Sequence, residues 1–163
     1  MTGVVADPGD ANVVYVAHSG FGQDQHEPRV HRSSDRGTTW VSITGNLPDA
    51  PVNDLVVDPL RAGTLYAGTD LGVFETRNLG ETWVPLGGSM PVLSVWDLEL
   101  HEASRRLYAF THGRSVWSLD LSTVSLSSPG PGTVSGLTLA APAPNPASAS
   151  TSLEMGLATR AQV

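Results

Sequence analysis

An internal repeat with a period of 43 residues is the feature that most constrains the fold of this chain. Residues 30–33 (VHRS) correspond to residues 73–76 (VFET), and residues 116–119 (VWSL) follow after the same interval. A unit of about 40 to 45 residues is too small to bury a core alone, so neighbouring units must pack together. The repeat therefore predicts an array of similar modules lying side by side.

The apolar segments that open each repeat are also related. Residues 4–8 (VVADP) correspond to residues 55–59 (LVVDP), and residues 98–101 (LELH) open a third copy. Each is followed by a polar turn and a second apolar segment, which ends in one of three tyrosines: Tyr15, Tyr66 and Tyr108. Because the tyrosines recur at one position of the repeat, they indicate packing and not catalysis.

Each repeat reads as short apolar segments separated by Gly, Asp, Asn and Pro, without a window of helical periodicity. The most complete unit predicts strands at 54–57, 64–68, 72–76 and 82–86. Four antiparallel strands in about 40 to 45 residues match the size of a β-propeller blade. The sequence predicts an all-β fold, a partial β-propeller of about two and a half four-stranded antiparallel blades. The alternative is an ordinary β-sandwich with accidental internal similarity.

The third repeat is incomplete, since it predicts only three strands, at 96–100, 106–110 and about 115–119. In a closed ring the fourth strand has to come from elsewhere in the protein, because closure removes exposed sheet edges. We therefore expect this chain to be the C-terminal part of a longer propeller, with the remaining blades as its partners. We also expect the isolated chain to self-associate or to fold poorly.

A turn motif lies between the third and fourth predicted strands of the first two repeats, at residues 33–40 (SSDRGTTW) and 76–83 (TRNLGETW). A short Asp or Asn side chain accepts hydrogen bonds from nearby backbone N–H groups, and Gly supplies the positive φ of a tight reversal. We expect two hairpin turns whose tryptophans fold back into the core. The structural positions are Ser33, Asp35, Gly37, Thr39 and Trp40, and Thr76, Asn78, Gly80, Thr82 and Trp83.

The first octet resembles the Asp-box, or BNR, motif (Ser-x-Asp-x-Gly-x-Thr-Trp) of sialidases, sortilin-like receptors and related propellers, at every specified position. The second octet departs from it with Thr76 and Asn78. More broadly, residues 4–121 resemble the final blades of bacterial secreted BNR-type propellers, including xyloglucanase-like and photosystem-stability-factor-like groups, through the phrases at 51–59 and 111–117. The resemblance implies a structural role for the octets and a secreted or cell-surface location.

The composition changes near residue 121, because all ten aromatic residues lie before Ser122. We divide the chain into propeller blades at 1–121, a linker at 122–136 and a C-terminal segment at 137–163. The segment resembles the opening of the immunoglobulin-like C-terminal sorting domain of type IX secretion substrates, through the Pro-Asn-Pro turn at 144–146. It is thus a truncated sorting domain or a disordered Pro/Ala/Ser-rich tail. Residues 1–7 carry no export signal, which is expected to lie outside this sequence.

The charge balance argues against a nucleic-acid partner, because sixteen Asp and Glu oppose nine Arg and give a net charge of −7. The longest uncharged stretch is rich in Pro, Gly and Ser, so no membrane span is expected. The absence of Cys excludes disulfides, thiolate zinc sites and cysteine nucleophiles. We expect no cofactor and no bound metal.

Candidate binding residues collect at one end of the predicted blades, where the second strand of each unit turns into the third. The first unit has a longer connection there, residues 18–28, than the second, residues 68–71. Insertions in repeat arrays tend to mark a working surface. The candidates are His18, Phe21, Asp24, His26, Asp70, His112 and Arg114.

Three interpretations of this end remain open. Histidine and carboxylate side chains suit zinc and similar ions, but their spacing between residues 18 and 31 fits no compact ligand motif. Phe21 and neighbouring polar groups favour contact with a carbohydrate or peptide. A plain exposed loop has the same composition.

Enzymatic and non-catalytic roles are both compatible with the sequence. Glycoside hydrolysis needs two carboxylates roughly 5 to 9.5 Å apart, and only Asp24, Asp49 and Asp70 are available at this end. No Ser/His/Asp arrangement, phosphate loop or redox motif occurs. We predict a non-catalytic scaffold or binding portion of a propeller protein that contacts carbohydrate or protein. The alternative is a fragment of a xyloglucanase-like or sialidase-like glycoside hydrolase.

Overall fold

Eleven strands and no helix make up residues 1–20, 29–87 and 90–122, which are the residues that the computed structural model describes. Blade 1 consists of β1 (Gly3–Ala6), β2 (Val14–Ala17), β3 (Val30–Ser33) and β4 (Val41–Ser42). Blade 2 consists of β5 (Val52–Val57), β6 (Leu65–Thr69), β7 (Gly72–Thr76) and β8 (Trp83–Leu86). Blade 3 consists of β9 (Val95–His101), β10 (Arg106–Thr111) and β11 (Val116–Asp120).

Every blade is an antiparallel meander in which strands are neighbours in sheet order as they are in sequence. The first strand of blade 2, β5, contacts both β1 and β9, so the opening strands of the three blades lie together. Three sheets packed face to face in chain order exclude the β-sandwich alternative. The all-β, partial-propeller prediction is confirmed.

Two apolar layers hold the blades together. The layer between blades 1 and 2 contains Val13, Tyr15, Ala17, Val30, Ile43, Leu47, Val52, Leu55, Leu65, Ala67 and Trp83. The layer between blades 2 and 3 contains Tyr66, Val73, Val95, Leu98, Leu107, Ala109 and Leu121. Because blade 2 is covered on both faces, all five residues of β6 are buried, which explains why its sequence, LYAGT, lacks polar alternation.

The predicted strands lie within two residues of the observed ones in blades 2 and 3. Both β5 and β9 contain an irregularity that the sequence pattern did not reveal. The register shifts between Val52 and Asp54 in the pairing of β5 with β6, and β9 shows the corresponding shift opposite Phe110 and Thr111. Such bulges re-aim the side chains that they contain.

The third blade has three strands within the described residues, and β10 is the only described strand that pairs with β11. The predicted linker and sorting segment lie outside the described residues, apart from Ser122. Among the residues that the structure describes, no helix is long and apolar enough to cross a membrane.

Candidate functional site

The first octet forms a turn in which the side chains of Ser33 and Asp35 accept hydrogen bonds from backbone N–H groups. Ser33 Oγ accepts the Gly37 N–H at 2.8 Å and donates to the Asp35 carboxylate at 2.7 Å. Asp35 also accepts the Thr39 N–H at 2.8 Å and the Thr39 hydroxyl at 2.6 Å. These hydrogen bonds, led by the one from the Thr39 hydroxyl, lower the pKa of Asp35 to about 2.

The second octet repeats this arrangement with the substituted residues. Thr76 Oγ1 accepts the Gly80 N–H at 3.0 Å, and Asn78 Oδ1 accepts the Thr82 N–H at 2.9 Å. Gly37 and Gly80 have φ values of 88° and 86°. A Cβ on Gly80 would overlap the backbone of Ile43 in blade 1, so this glycine also permits close approach of the blades. Both octets therefore form the same turn, held by hydrogen bonds from side chains to the backbone.

The two tryptophans differ, and the prediction that both fill the core is wrong for Trp40. Trp83 is 2% exposed, and its indole N–H donates to the Ile43 carbonyl at 3.0 Å. The Asn46 side chain accepts the Trp83 N–H at 2.6 Å and donates to the Trp83 carbonyl at 3.0 Å. Trp40 is 42% exposed, because no described residue packs on that face of blade 1 as blade 1 packs on blade 2.

The predicted binding residues that the structure describes lie at one end of the blades, here called the loop end. His18 follows β2, Asp70 lies in the turn between β6 and β7, and His112 and Arg114 lie between β10 and β11. Phe21, Asp24 and His26 lie outside the described residues.

Asp70 ties blade 2 to blade 3. Its carboxylate accepts the Asn53 side-chain N–H at 2.9 Å and the Ser94 hydroxyl at 2.6 Å, and the same Asn53 amide donates to the Val95 carbonyl at 2.9 Å. The bonds from Ser94 to Asp70 and from Asn53 to Val95 cross the boundary between blades 2 and 3. They give Asp70 a structural use that the sequence did not indicate.

His18 packs edge-on against His31, with the ring centroids 5.4 Å apart. Burial and nearby positive charges lower the pKa of His18, so its neutral form is favoured. The guanidinium of Arg29 lies beside this end of β2, donating to the Ser19 carbonyl at 3.0 Å and to Asp49 at 2.8 Å. Over the described ranges, no group of three or more His, Asp or Glu could hold a metal ion.

The sequence did not single out Trp96, which lies on β9 next to His112. The two rings lie 5.7 Å apart between centroids and are tilted by 30°. Trp96 is 63% exposed, whereas Asn53, the residue 43 positions earlier, donates a hydrogen bond across a blade boundary to the Val95 carbonyl. An exposed aromatic face supported by a second ring is a platform for a flat ligand surface. The only available signal was the replacement of Asn by Trp within the repeat.

Asp54 and Asp97 form a carboxyl pair at the two bulges. They are 43 residues apart, and their side chains lie within hydrogen-bonding reach of each other. Asp54 also accepts the Leu98 N–H at 2.9 Å. Burial raises the pKa of Asp54, and the nearby Asp97 raises it further. The Asp54 carboxyl therefore keeps its proton to a higher pH than an isolated carboxyl does.

Replacing Asp54 with Asn should raise the stability of the protein at neutral pH. A group whose folded-state pKa is raised stabilises the fold below its unfolded pKa, and this contribution is lost as the pH rises through the folded pKa. The side-chain oxygen of Asn can still accept the hydrogen bond from the Leu98 N–H, but the side chain carries no negative charge. Urea denaturation between pH 3 and 8 should show a flatter pH dependence for Asp54→Asn. Glu99→Gln, on the exposed part of β9, is the control; equal curves for Asp54→Asn and the unmodified chain would contradict the expectation.

A buried ion pair joins blades 2 and 3 at the end opposite the loop end. Asp58 is 2% exposed and accepts two hydrogen bonds from the Arg105 guanidinium, at 2.9 and 2.6 Å. It also accepts the Tyr66 hydroxyl at 3.1 Å, as Asp7 accepts the Tyr15 hydroxyl in blade 1. Burial opposes ionisation of Asp58, but the hydrogen bonds from Arg105, Leu60 and Tyr66 outweigh it and lower its pKa. Two of the three recurring tyrosines thus hold turn aspartates.

Three solved structures similar to this chain are GH74 enzymes, which are β-propeller proteins. The GH74 xyloglucanase from Xanthomonas campestris aligns with a TM-score of 0.59 at 17% identity, over 85% of this chain and 24% of that enzyme. The GH74 enzyme from Niastella koreensis aligns with a TM-score of 0.59 at 15% identity, over 74% and 20% of the two chains. An ancestral GH74 enzyme aligns with a TM-score of 0.58 at 23% identity, over 74% and 19%.

These similarities establish the propeller fold. The chain spans about a quarter or less of the length of each enzyme that it matches. No protein-family model and no curated protein matches the sequence.

Proposed function

We propose that this chain is a non-catalytic binding portion of a larger β-propeller protein and that its ligand is a carbohydrate. The observation that carries the proposal is the exposed Trp96 ring beside His112 at the loop end. Sugar rings present apolar faces that pack on exposed aromatic side chains, while their hydroxyls bond to surrounding polar groups. Arg114, in the same turn as His112, provides such polar groups.

Replacing Trp96 with alanine should weaken carbohydrate binding about fivefold or more, because truncating an aromatic anchor typically costs over about 1 kcal/mol. Affinity electrophoresis through gels containing xyloglucan, mixed-linkage β-glucan, mannan or starch measures the effect. Trp40→Ala removes another half-exposed tryptophan, the last residue of the first octet, and should leave binding unchanged. The proposal fails if no polysaccharide retards the protein, or if Trp96→Ala is retarded as strongly as the unmodified chain.

A glycoside hydrolase segment is the second candidate, favoured by the GH74 enzymes among the similar structures. The described carboxylates give it little support. Glycosidases separate their two carboxyl groups by about 5 to 9.5 Å, whereas Asp54 and Asp97 lie within hydrogen-bonding reach and Asp70 is held by Asn53 and Ser94. Release of reducing sugar from the same polysaccharides, abolished by Asp24→Asn or Asp70→Asn, would favour the enzyme instead.

We further propose that the two octets are Asp-boxes, that the full protein is secreted or exposed at the cell surface, and that the C-terminal segment is a type IX sorting domain. The octet geometry supports the first of these, because both copies form the same side-chain-bonded turn. The other two are supported by the sequence resemblance alone. Export of a reporter protein fused to the complete C-terminal region, in a bacterium with type IX secretion, tests them.

A further inference from the structure

Trp96 is the extra residue of a β-bulge. In the pairing of β9 with β10, Val95 lies opposite Thr111. Asp97 lies opposite Phe110, the adjacent residue of β10, so Trp96 has no partner in the register of the two strands. Because a bulge interrupts the ladder and re-aims the side chain that it contains, strand pairing does not orient the exposed indole. Other contacts have to hold the bulge in place.

Two side chains of β5 hold the backbone of β9 on either side of this tryptophan. The Asn53 side-chain N–H donates to the Val95 carbonyl at 2.9 Å, directly before Trp96. The Asp54 carboxyl accepts the Leu98 N–H at 2.9 Å, two residues after Trp96. Both bonds run from blade 3 to blade 2, so β5 fixes the bulge of β9 from both ends. Of these two β5 side chains, only Asp54 can gain or lose a proton.

Asp97, the residue after Trp96, brings a second carboxyl group to the same place. Its side chain lies within hydrogen-bonding reach of Asp54. When one proton is shared, the two carboxyls bond to each other and draw β9 towards β5. When both are ionised, two like charges repel each other across the blade boundary and oppose the bond from Leu98 to Asp54. Burial, assisted by Asp97, raises the pKa of Asp54, so this change occurs above the ordinary carboxyl value of 3.8.

The other strands that contact β5 add no charge to this pair. β1, β2 and β6 contain no charged residue. The titratable and charged groups on the surrounding elements are Glu99 and His101 on β9, Arg106 on β10, the α-amino group of Met1 before β1, Asp70 on the Asn53 amide and His112 beside Trp96.

We propose that Asp54 and Asp97 are positioning residues for Trp96: a shared proton holds the bulge of β9 against β5, and loss of that proton displaces the ring and weakens carbohydrate binding. The proposal rests on the proposed function, because it concerns the regulation of the same aromatic ring. Asp54→Asn mimics the protonated pair, since an amide accepts the Leu98 N–H and donates to the Asp97 carboxylate at every pH. This variant should keep the ring in its binding orientation in neutral solution.

Fluorine NMR of the full chain labelled with 5-fluorotryptophan follows the ring without a ligand. Trp96→Phe identifies the Trp96 resonance among those of the four tryptophans. In the unmodified chain this resonance should move as the pH rises from 4 to 8, and in Asp54→Asn it should stay at its acidic position. Asp97→Asn removes the same charge and tests the pair if Asp54→Asn does not fold.

Glu99→Gln removes an exposed carboxyl of β9 outside the pair and is the matched control, which should titrate like the unmodified chain. A Trp96 resonance that does not move with pH would overturn the proposal. Movement that Asp54→Asn retains and His112→Asn removes would also overturn it, because the ring would then follow the protonation of His112.

Affinity electrophoresis at pH 4.5 and 7.5, through the same four polysaccharides, measures the consequence for binding. The unmodified chain should bind about three to ten times more weakly at pH 7.5, because a pKa that differs by one between the bound and free protein corresponds to about tenfold in affinity. Asp54→Asn should bind at pH 7.5 as tightly as the unmodified chain does at pH 4.5. Equal affinities of the unmodified chain at both pH values would contradict the proposal. If no polysaccharide retards the protein at either pH, the proposed function fails, whereas the NMR titration still shows whether the pair positions the ring.

Discussion

Replacing Trp83 with alanine is expected to lower the free energy of unfolding by about 3 to 5 kcal/mol, whereas Trp40→Ala should cost about 1 kcal/mol or less. Each residue is the last of its octet; Trp40 directly precedes the fourth strand of blade 1, and Trp83 is the first residue of the fourth strand of blade 2. Trp83 is buried between blades 1 and 2 and its indole N–H is bonded to Ile43, so its removal leaves a cavity and an unpaired carbonyl. Trp40 loses far less buried area.

Urea denaturation followed by far-UV circular dichroism measures both changes under the same conditions, because the β-sheet signal does not depend on the deleted indole. Trp83→Phe, which keeps an aromatic ring but not the hydrogen bond, should fall between the unmodified chain and Trp83→Ala. Equal losses for Trp40→Ala and Trp83→Ala would contradict the asymmetry of the two blade faces. Such a result would mean that Trp40 is covered by residues outside the described ranges or by another chain.

The sequence predicts the strands well because both kinds of evidence for them are local. Four short apolar segments divided by turn-forming residues identify the elements, and the 43-residue repeat shows that they recur as a unit. The octets add the turn chemistry, since Ser33 and Asp35 bond to backbone N–H groups within four residues of themselves. Interactions of this range can be inferred without knowing what packs on the blade.

The burial of a residue also depends on which blade packs against its own, and this cannot be predicted from the repeat. Trp40 and Trp83 have equivalent sequence contexts, but only Trp83 has a described blade beside it. The repeat gave no information about this difference, because it compares a blade with its copies and not with its neighbours. The buried fraction of a propeller residue depends on its position in the repeat and on the neighbouring blade.

The candidate site shows the same limit. The sequence placed His112 and Asp70 at one end of the blades, but it did not identify Trp96, the ring that lies against His112. The sequence pattern also predicted β5 and β9 as regular strands, so the carboxyl pair of Asp54 and Asp97 was not expected. Asp54 and Trp96 lie at the register shifts in β5 and β9, and such shifts leave no clear mark in a hydrophobic pattern.

The ion pair of Asp58 and Arg105 is another contact between blades that the sequence did not reveal. Asp58 lies in the turn after β5, where its carboxylate accepts the Leu60 N–H at 3.0 Å. Arg105 lies 47 residues later, in the turn before β10, with a φ of 52°. An arginine at a turn position with positive φ does not by itself indicate that its side chain reaches the preceding blade.

Asp58→Ala is expected to destabilise the protein at pH 7 by about 3 to 5 kcal/mol, because it leaves the Arg105 guanidinium without its buried partner. The matched control is Asp7→Ala in blade 1, which also removes a tyrosine hydrogen bond and a turn bond, to Gly9, and should cost about 1 to 2 kcal/mol. The folded-state pKa of Asp58 is lowered, so its contribution is present above the ordinary value of 3.8 and is lost as the pH falls through the folded value. Urea denaturation of the two variants and the unmodified chain from pH 7 downwards should therefore show the Asp58→Ala deficit shrinking in acid. A deficit that matches Asp7→Ala at pH 7, or one that is constant down to pH 2, would show that Arg105 does not hold blade 3 against blade 2 through this carboxylate.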